Sequence, residues 1–167
     1  MQGEHRLRSS KFLPYEDSAR IPALIAGPGI KKNRTINRPA MDVDLTATII
    51  DMAGAKRGRT MDGISLLPAL RGKRKLPQRD LPLEAMRPLF VFYTPITAFD
   101  LPYYGVRTDR YKYIHWSFDT NNIELYDLKK DPDELDNLAN KPAFAATVAK
   151  LEAEATRLRS CRGNTCR

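Results

Sequence analysis

The stretch "PAFAATVAKLEAEATRLRSC" constrains the fold of this chain more than any other, because Phe144, Val148, Leu151, Ala155 and Leu158 recur along one face of a long helix. Such a helix needs an apolar surface to cover its stripe, since packing rather than propensity holds most helices in water. The residues before it supply one. In "YYGVRTDRYKYIHW" two strand-forming runs flank Asp109-Arg110, the pattern of a tight hairpin without a turn glycine, and "IELYDL" adds another short strand. "LFVFYT" at residues 89–94 reads as a strand as well, and "KKDPDELDNLANKP" is rich in turn formers. The expected C-terminal architecture is a small antiparallel sheet packed on a terminal helix.

The first half reads differently. "IPALIAGPGI" is a short apolar run closed by Gly27-Pro28-Gly29, which predicts a buried strand ending in a turn. "MDVDLTATIIDMAGA" predicts a helix: Asp42 or Asp44 caps it, Leu45, Ile49 and Met52 recur at helical spacing, and Gly54 stops it. "DGISLLPALRG" reads as a loop with one or two helical turns, and Arg71 to Pro88, rich in basic residues and proline, as a connection between layers. The 167 residues suffice for one ordinary domain or two small layers around a shared core.

Lysine and arginine number 28 against 20 acids, a formal charge of +8 that attracts polyanions through its long-range field. Much of the excess lies at Lys31-Lys32, Lys56-Arg57-Arg59 and Arg71-Lys73-Arg74-Lys75, beside glycine or proline, where solvated loop charge is the plain reading. No nucleic-acid-binding module and no base-stacking aromatics accompany these clusters, so no nucleic acid partner is expected. No window approaches a membrane span, so no membrane partner is expected, and the N-terminus is not shaped like a signal peptide. Cys161 and Cys166 form C-x4-C at the end of the chain, open to a local disulfide, two free thiols or half of a metal site. A disulfide would imply an oxidising compartment, at odds with an N-terminus that lacks an export address, and suggests sequence missing ahead of Met1.

The phrases "GEHRLRSSKFLPYEDSARIPALIAGPG", "VDLTATIIDMAGA", "DGISLLPAL", "GVRTDRYKYI", "ELYDLKKDPDELDNLA" and "CRGNTC" stand in the order and approximate spacing of the C-terminal half of type I sulfatases. The resemblance covers nearly the whole chain and is nearest to arylsulfatases and glycosaminoglycan sulfatases. It implies an α/β fold like that of alkaline phosphatase, with residues 1–85 the end of the catalytic domain, truncated at its N-terminus. Residues 86–167 would form the small C-terminal subdomain. It also implies sulfate ester hydrolysis, on an aryl or carbohydrate sulfate, by a formylglycine nucleophile beside a bound calcium. The formylglycine motif C/S-x-P-S/A-R does not occur, neither cysteine stands in such a motif, and the family's metal ligands fall upstream of Met1. A separate N-terminal sulfatase segment is therefore the partner the resemblance implies, and the chain by itself is expected to be inactive. Family members are often periplasmic, secreted or lysosomal.

Carried over residue by residue, the resemblance assigns Lys11 in "SSKFLPYE" to the lysine that contacts the substrate sulfate, with Phe12-Leu13-Pro14 stiffening its loop. His5 is expected at the pocket edge. His115 beside Trp116 reads as sheet surface or aromatic cluster, and Glu16 and Asp17 as partners of Arg20 or a neighbouring arginine rather than an acid–base pair. Arg107 and Arg110 read as salt-bridging residues of the hairpin. Two competing readings remain: a non-enzymatic basic module that binds sulfated polysaccharide or another polyanion, and a phosphoesterase of the same superfold.

Overall fold

Strand register sets the layers. The computed structural model describes residue 5 and residues 13–85, 102–117 and 121–166. Four strands, β1 (Leu81–Ala85), β2 (Tyr103–Arg107), β3 (Tyr111–Trp116) and β4 (Ile123–Asp127), lie in the order β1-β2-β3-β4, with β2–β3 and β3–β4 antiparallel. Both edges of β3 are paired, and Lys112, Tyr113 and Ile114 have no solvent exposure. Because successive side chains point to opposite faces, Tyr103, Ile114, Trp116 and Tyr126 share one face, and Leu13 and Tyr15 pack on it. The opposite face carries Tyr104 and His115, and helix α4 (Ala145–Arg159) packs on β2 and β3 there. Arg159 lies over the Tyr104 ring at 4.3 Å, and Val148, Leu151, Ala155 and Leu158 are buried, as the periodicity predicts. Phe144 falls instead in a 3-10 turn, Pro142–Phe144, ahead of the helix.

The β2–β3 hairpin turns at Asp109-Arg110 without glycine because Thr108 organises it: its hydroxyl accepts from the backbone N–H groups of Arg110 and Tyr111. Arg110 then reaches across to β4 and holds Asp127 at 2.6 Å. Strand β1 lies within the segment read as a connection. Its Pro82 obscured the strand pattern, yet proline is tolerated on an edge strand, which is where β1 lies.

By contact the chain divides into two compact units: Met1–Pro22 with Pro82–Arg159, and Ala23–Leu81 with Ser160–Arg167. The sheet and α4 belong to the first. This partition is not the 1–85 and 86–167 division drawn from the resemblance, which concerns the domains of a longer protein. The second unit holds α2 (Asp42–Met52), α3 (Leu67–Leu70) and a small apolar cluster of Leu66, Ala69 and Leu76. Its last residues are closed by the Cys161–Cys166 disulfide, and the Gly163 N–H donates to Asp62 at 2.5 Å.

One expectation for residues 21–52 is overturned, and the helix expected there forms. The run "IPALIAGPGI" is irregular and largely exposed, with Leu24 fully in solvent. An apolar run becomes a buried strand only between flanking strands, and the described residues place none beside it. Helix α2 forms as predicted but is turned round. Its buried residues are Asp44, Ala47 and Thr48, while Val43, Leu45, Ile49 and Met52 face outward, Ile49 at 64% exposure. The polar side is held inside by hydrogen bonds. Asp44 accepts from the Met41 and Ile64 N–H groups and pairs with buried Arg79, and the Thr48 hydroxyl accepts from Leu66 N–H at 2.8 Å.

Gly105 lies opposite Ile114, and a Cβ there would meet the Tyr113 carbonyl oxygen at 2.2 Å. Gly105→Ala must therefore push β2 from β3, and we expect a loss of about 1–3 kcal/mol, the range for overpacking, read as a shift of the urea midpoint.

Candidate functional site

The segment that follows Lys11 is seated on the aromatic face of the sheet. Lys11 itself, like Phe12, lies outside the described residues. From Leu13 onward the chain is fixed: Leu13, Pro14 and Tyr15 are buried, and Glu16 opens the short helix α1 (Glu16–Ala19). The seat is built around Lys112. Its ammonium donates to the Pro14 carbonyl oxygen at 2.8 Å and pairs with Glu16 and Glu134, each also at 2.8 Å. An ammonium has three donors, and all are used on protein oxygens. Glu134 also accepts from the Glu16 N–H at 2.5 Å, so it ties the same turn from the far side. Glu134 adopts a left-handed backbone, φ 57°, which a non-glycine residue takes only when its surroundings over-determine it. Arg107 adds a second cation to Glu16 at 3.4 Å.

These contacts set opposite proton affinities on the two carboxylates. Burial alone would raise Glu16, but Lys112 and then Arg107 outweigh it and hold its pKa below the ordinary value of 4.5. Glu134 is more deeply enclosed, and burial pushes it up in spite of Lys112. Glu16 is thus a structural anion paired to Lys112 and Arg107, sequence-remote residues, not to the nearby Arg20 that the sequence offered.

A third carboxylate, Glu124 on β4, holds the next layer. It accepts from Trp116 Nε1 at 2.8 Å, the Tyr126 hydroxyl at 2.9 Å and the Tyr15 hydroxyl at 3.2 Å. Burial, and then the charge of Glu124, pushes the Tyr15 and Tyr126 phenols well above the usual tyrosine range, so both remain donors at any physiological pH. His5 stacks on Tyr15 at 4.0 Å, and its Nε2 is buried without a hydrogen-bond partner among the described residues. His115 lies on the opposite face, stacked on Tyr104 with its Nδ1 3.0 Å from the Tyr104 hydroxyl, in the aromatic setting its neighbours predict.

The arrangement immobilises a turn, with each of these carboxylates facing donors or cations. Among the described residues, no group of three or more His, Cys, Asp or Glu side chains converges as a metal site. Cys161 and Cys166 are joined to each other, and we derive no step through calcium or formylglycine. No helix among the described residues is long and apolar enough to cross a membrane.

Comparison with known proteins accounts for this architecture. A family model described as N-sulphoglucosamine sulphohydrolase, C-terminal, matches residues 3–161. The Delta 4,5-hexuronate-2-O-sulfatase of Bacteroides thetaiotaomicron is 32% identical over 154 residues, covering 89% of this chain and 30% of that protein. The N-acetylglucosamine-6-sulfatase of Bos taurus is 32% identical over 189 residues, covering 99% of this chain and 34% of its own. Among solved structures, a 2-O GAG sulfatase superposes with a TM-score of 0.76 at 32% identity, over 93% of this chain and 34% of that one. The chain belongs to the sulfatase family, as a C-terminal sulfatase domain, and its architecture is the C-terminal part of the alkaline-phosphatase-like fold. It spans about a third of the length of the relatives it matches.

Lys112, Glu134 and Glu124 are absent from the sequence-derived site. The one local sign was a lysine within the strand run "YKYI", where alternation gives it an inward face. Lys112→Met strands Glu134 without its cation, and we expect a loss of about 3–5 kcal/mol in chemical denaturation, with part recovered when Glu134→Gln is added. The lowered pKa of Glu16 contributes stability that is complete above pH 4.5 and lost as pH falls through the lower folded value. Glu134, whose pKa is raised, acts in the opposite sense and is relieved by acid. Glu16→Gln should therefore flatten the acid limb of the stability–pH curve measured below pH 4.5.

Proposed function

We propose that this chain is the C-terminal part of an enzyme that hydrolyses sulfate esters of carbohydrates, and that Lys11 contacts the sulfate group. The observation that carries the reading is the anchorage of residues 13–16 by Lys112, Glu134 and Glu124, two residues beyond Lys11. Family membership supports the reaction class, and the names of the two relatives given above, sulfatases of a hexuronate and of N-acetylglucosamine, support the substrate class. A fixed ammonium suits this chemistry because charge grows on the ester oxygens as the S–O bond breaks, and a preorganised cation stabilises that charge without reorganising. His5, stacked on Tyr15 beside the same segment, is the residue we place at the pocket edge.

On this reading the nucleophile, formylglycine, and the calcium belong to the part of the relatives' length that the chain does not span. We further propose that an upstream sulfatase segment covers the outward face of α2. Val43, Leu45, Ile49 and Met52 form an apolar stripe on a helix whose inner side is already satisfied by hydrogen bonds. The lengths of the relatives say what is available to cover it.

In the complete enzyme, Lys11→Ala should reduce turnover of a sulfated sugar by about 100-fold or more, the scale for removing one preorganised donor, with the thermal midpoint unchanged. Lys11→Arg should recover only part, since a planar guanidinium does not occupy the place of a compact ammonium. Near-parental turnover by Lys11→Ala at saturating substrate would remove Lys11 from the site. The 167-residue chain by itself should release no sulfate, because orientation does not replace a nucleophile.

A further inference from the structure

Two basic loops of the second unit, far apart in sequence, meet in space. The Lys31 N–H donates to the Leu70 carbonyl oxygen at 3.1 Å, which ties the loop after Gly29 to the turn after α3. Gly29 and Gly72 take left-handed backbones there, with φ 74° and 72°. A Cβ on Gly72 would stand 3.0 Å from Arg34 Nη1 and 3.9 Å from Lys31 Nζ, and one on Gly29 would stand 3.7 Å from Arg71 Nε. Three cationic side chains therefore converge over two glycines that leave room for them.

Residues 29–36 and 70–76 together hold seven lysines and arginines and no acid. Among the described residues none of these seven side chains has a carboxylate partner, and all seven are exposed. Beyond Arg71 the same turn continues to Arg74 and Lys75, which line an open cleft of about 340 Å³ with Arg57 and Ser65. Its one acid, Asp51, is already held by Arg57 at 2.7 Å. Like charges kept together by backbone geometry, without a counter-ion, lower the work of bringing an anion to them.

We propose that these loops and the cleft form a binding surface for a linear anionic polysaccharide, a sulfated glycan chain several sugars long. The surface rests on its own charge geometry and not on the hydrolytic reaction. A nucleic acid is the poorer fit. Residues 23–81 and 160–167 contain no Phe, Tyr or Trp, so the unit has no ring on which a base would stack. Sulfate groups on a sugar chain need only cations in a row, and guanidinium forks meet them with paired hydrogen bonds.

The test is equilibrium binding of a heparin oligosaccharide of defined length to the 167-residue chain at two salt concentrations. The variant Lys31→Glu/Arg34→Glu/Arg71→Glu should bind roughly 10-fold or more weakly and with a shallower salt dependence, since fewer counter-ions are displaced. Lys129→Glu/Lys130→Glu/Lys150→Glu changes the net charge equally on exposed positions of the other unit and should stay close to the parent. Thermal unfolding checks that the reversed loops still fold, and if they do not, Lys31→Gln/Arg71→Gln takes their place with a loss of about 3-fold or more. Equal loss in both charge-reversal variants would reduce the surface to net-charge attraction and overturn the proposal. Tighter binding of single-stranded DNA of matched charge would overturn the choice of polysaccharide. Sulfate release is not read in any arm, so failure here leaves the sulfatase reading untouched.

Discussion

A buried ammonium is tolerable only when each of its protons meets an oxygen, and Lys112 meets that condition with three partners from two distant parts of the chain. The consequence runs outward from β3. Pro14 and Glu16 must come to the sheet face to complete the set, so the segment from Leu13 to Ala19 lies across that face as a lid. Glu134 must also arrive from beyond β4, and it does so in a left-handed conformation that no local preference would select. The same face carries Glu124 with its indole and two phenol donors, so the layer joining sheet to lid is polar at two carboxylate centres and aromatic between them. Helix α4 covers the other side with ordinary apolar packing. The sheet therefore has one face set by oil and one set by charge.

That contrast explains which parts of the fold were legible. The α4 stripe and the β2–β3 hairpin could be read because their information is local: helical spacing for one, strand alternation around a polar turn for the other. Lys112 was not legible, since its Pro14 partner lies 98 residues away and only the fold brings them together. Helix α2 shows the same limit from the other side. Leu45, Ile49 and Met52 have the spacing of a core face, yet Asp44 and Thr48 are the buried residues because backbone N–H groups 20 and 18 residues later need acceptors. "IPALIA" reads as a buried strand on apolarity alone, but apolarity states a preference for burial and does not name a neighbour. Of the candidate site, the phrase around Lys11 was readable through family resemblance, while the residues that fix the following turn were not.

The two units also divide the chemistry of the chain. The aromatic residues that hold the sheet and its lid are tyrosines and Trp116, whereas residues 23–81 and 160–167 lack aromatic rings altogether. The second unit compensates with a buried ion pair, Asp44 with Arg79, a small aliphatic cluster and a disulfide-closed tail bonded to Asp62. A unit with so small an apolar core keeps its loops in place by backbone hydrogen bonds and left-handed glycines, and those are the devices that bring Lys31 to Arg71.

Lysine thus occupies two distinct settings in one chain, buried at Lys112 and exposed at Lys31, and solvent access separates them. Lys112 has no exposure, and its three protons are spent on protein oxygens, so it can hold a turn and cannot greet a substrate. Replacing it by arginine would not preserve the seat: a planar fork directs five donors in fixed directions, whereas this site presents three oxygens around one point. A lysine that is to meet a sulfate group needs the reverse, an accessible ammonium with hydrogen bonds left to give, carried on a backbone that does not move. Lys112 therefore supplies rigidity to the turn that begins two residues beyond Lys11, and it does so with the cation least able to leave its place.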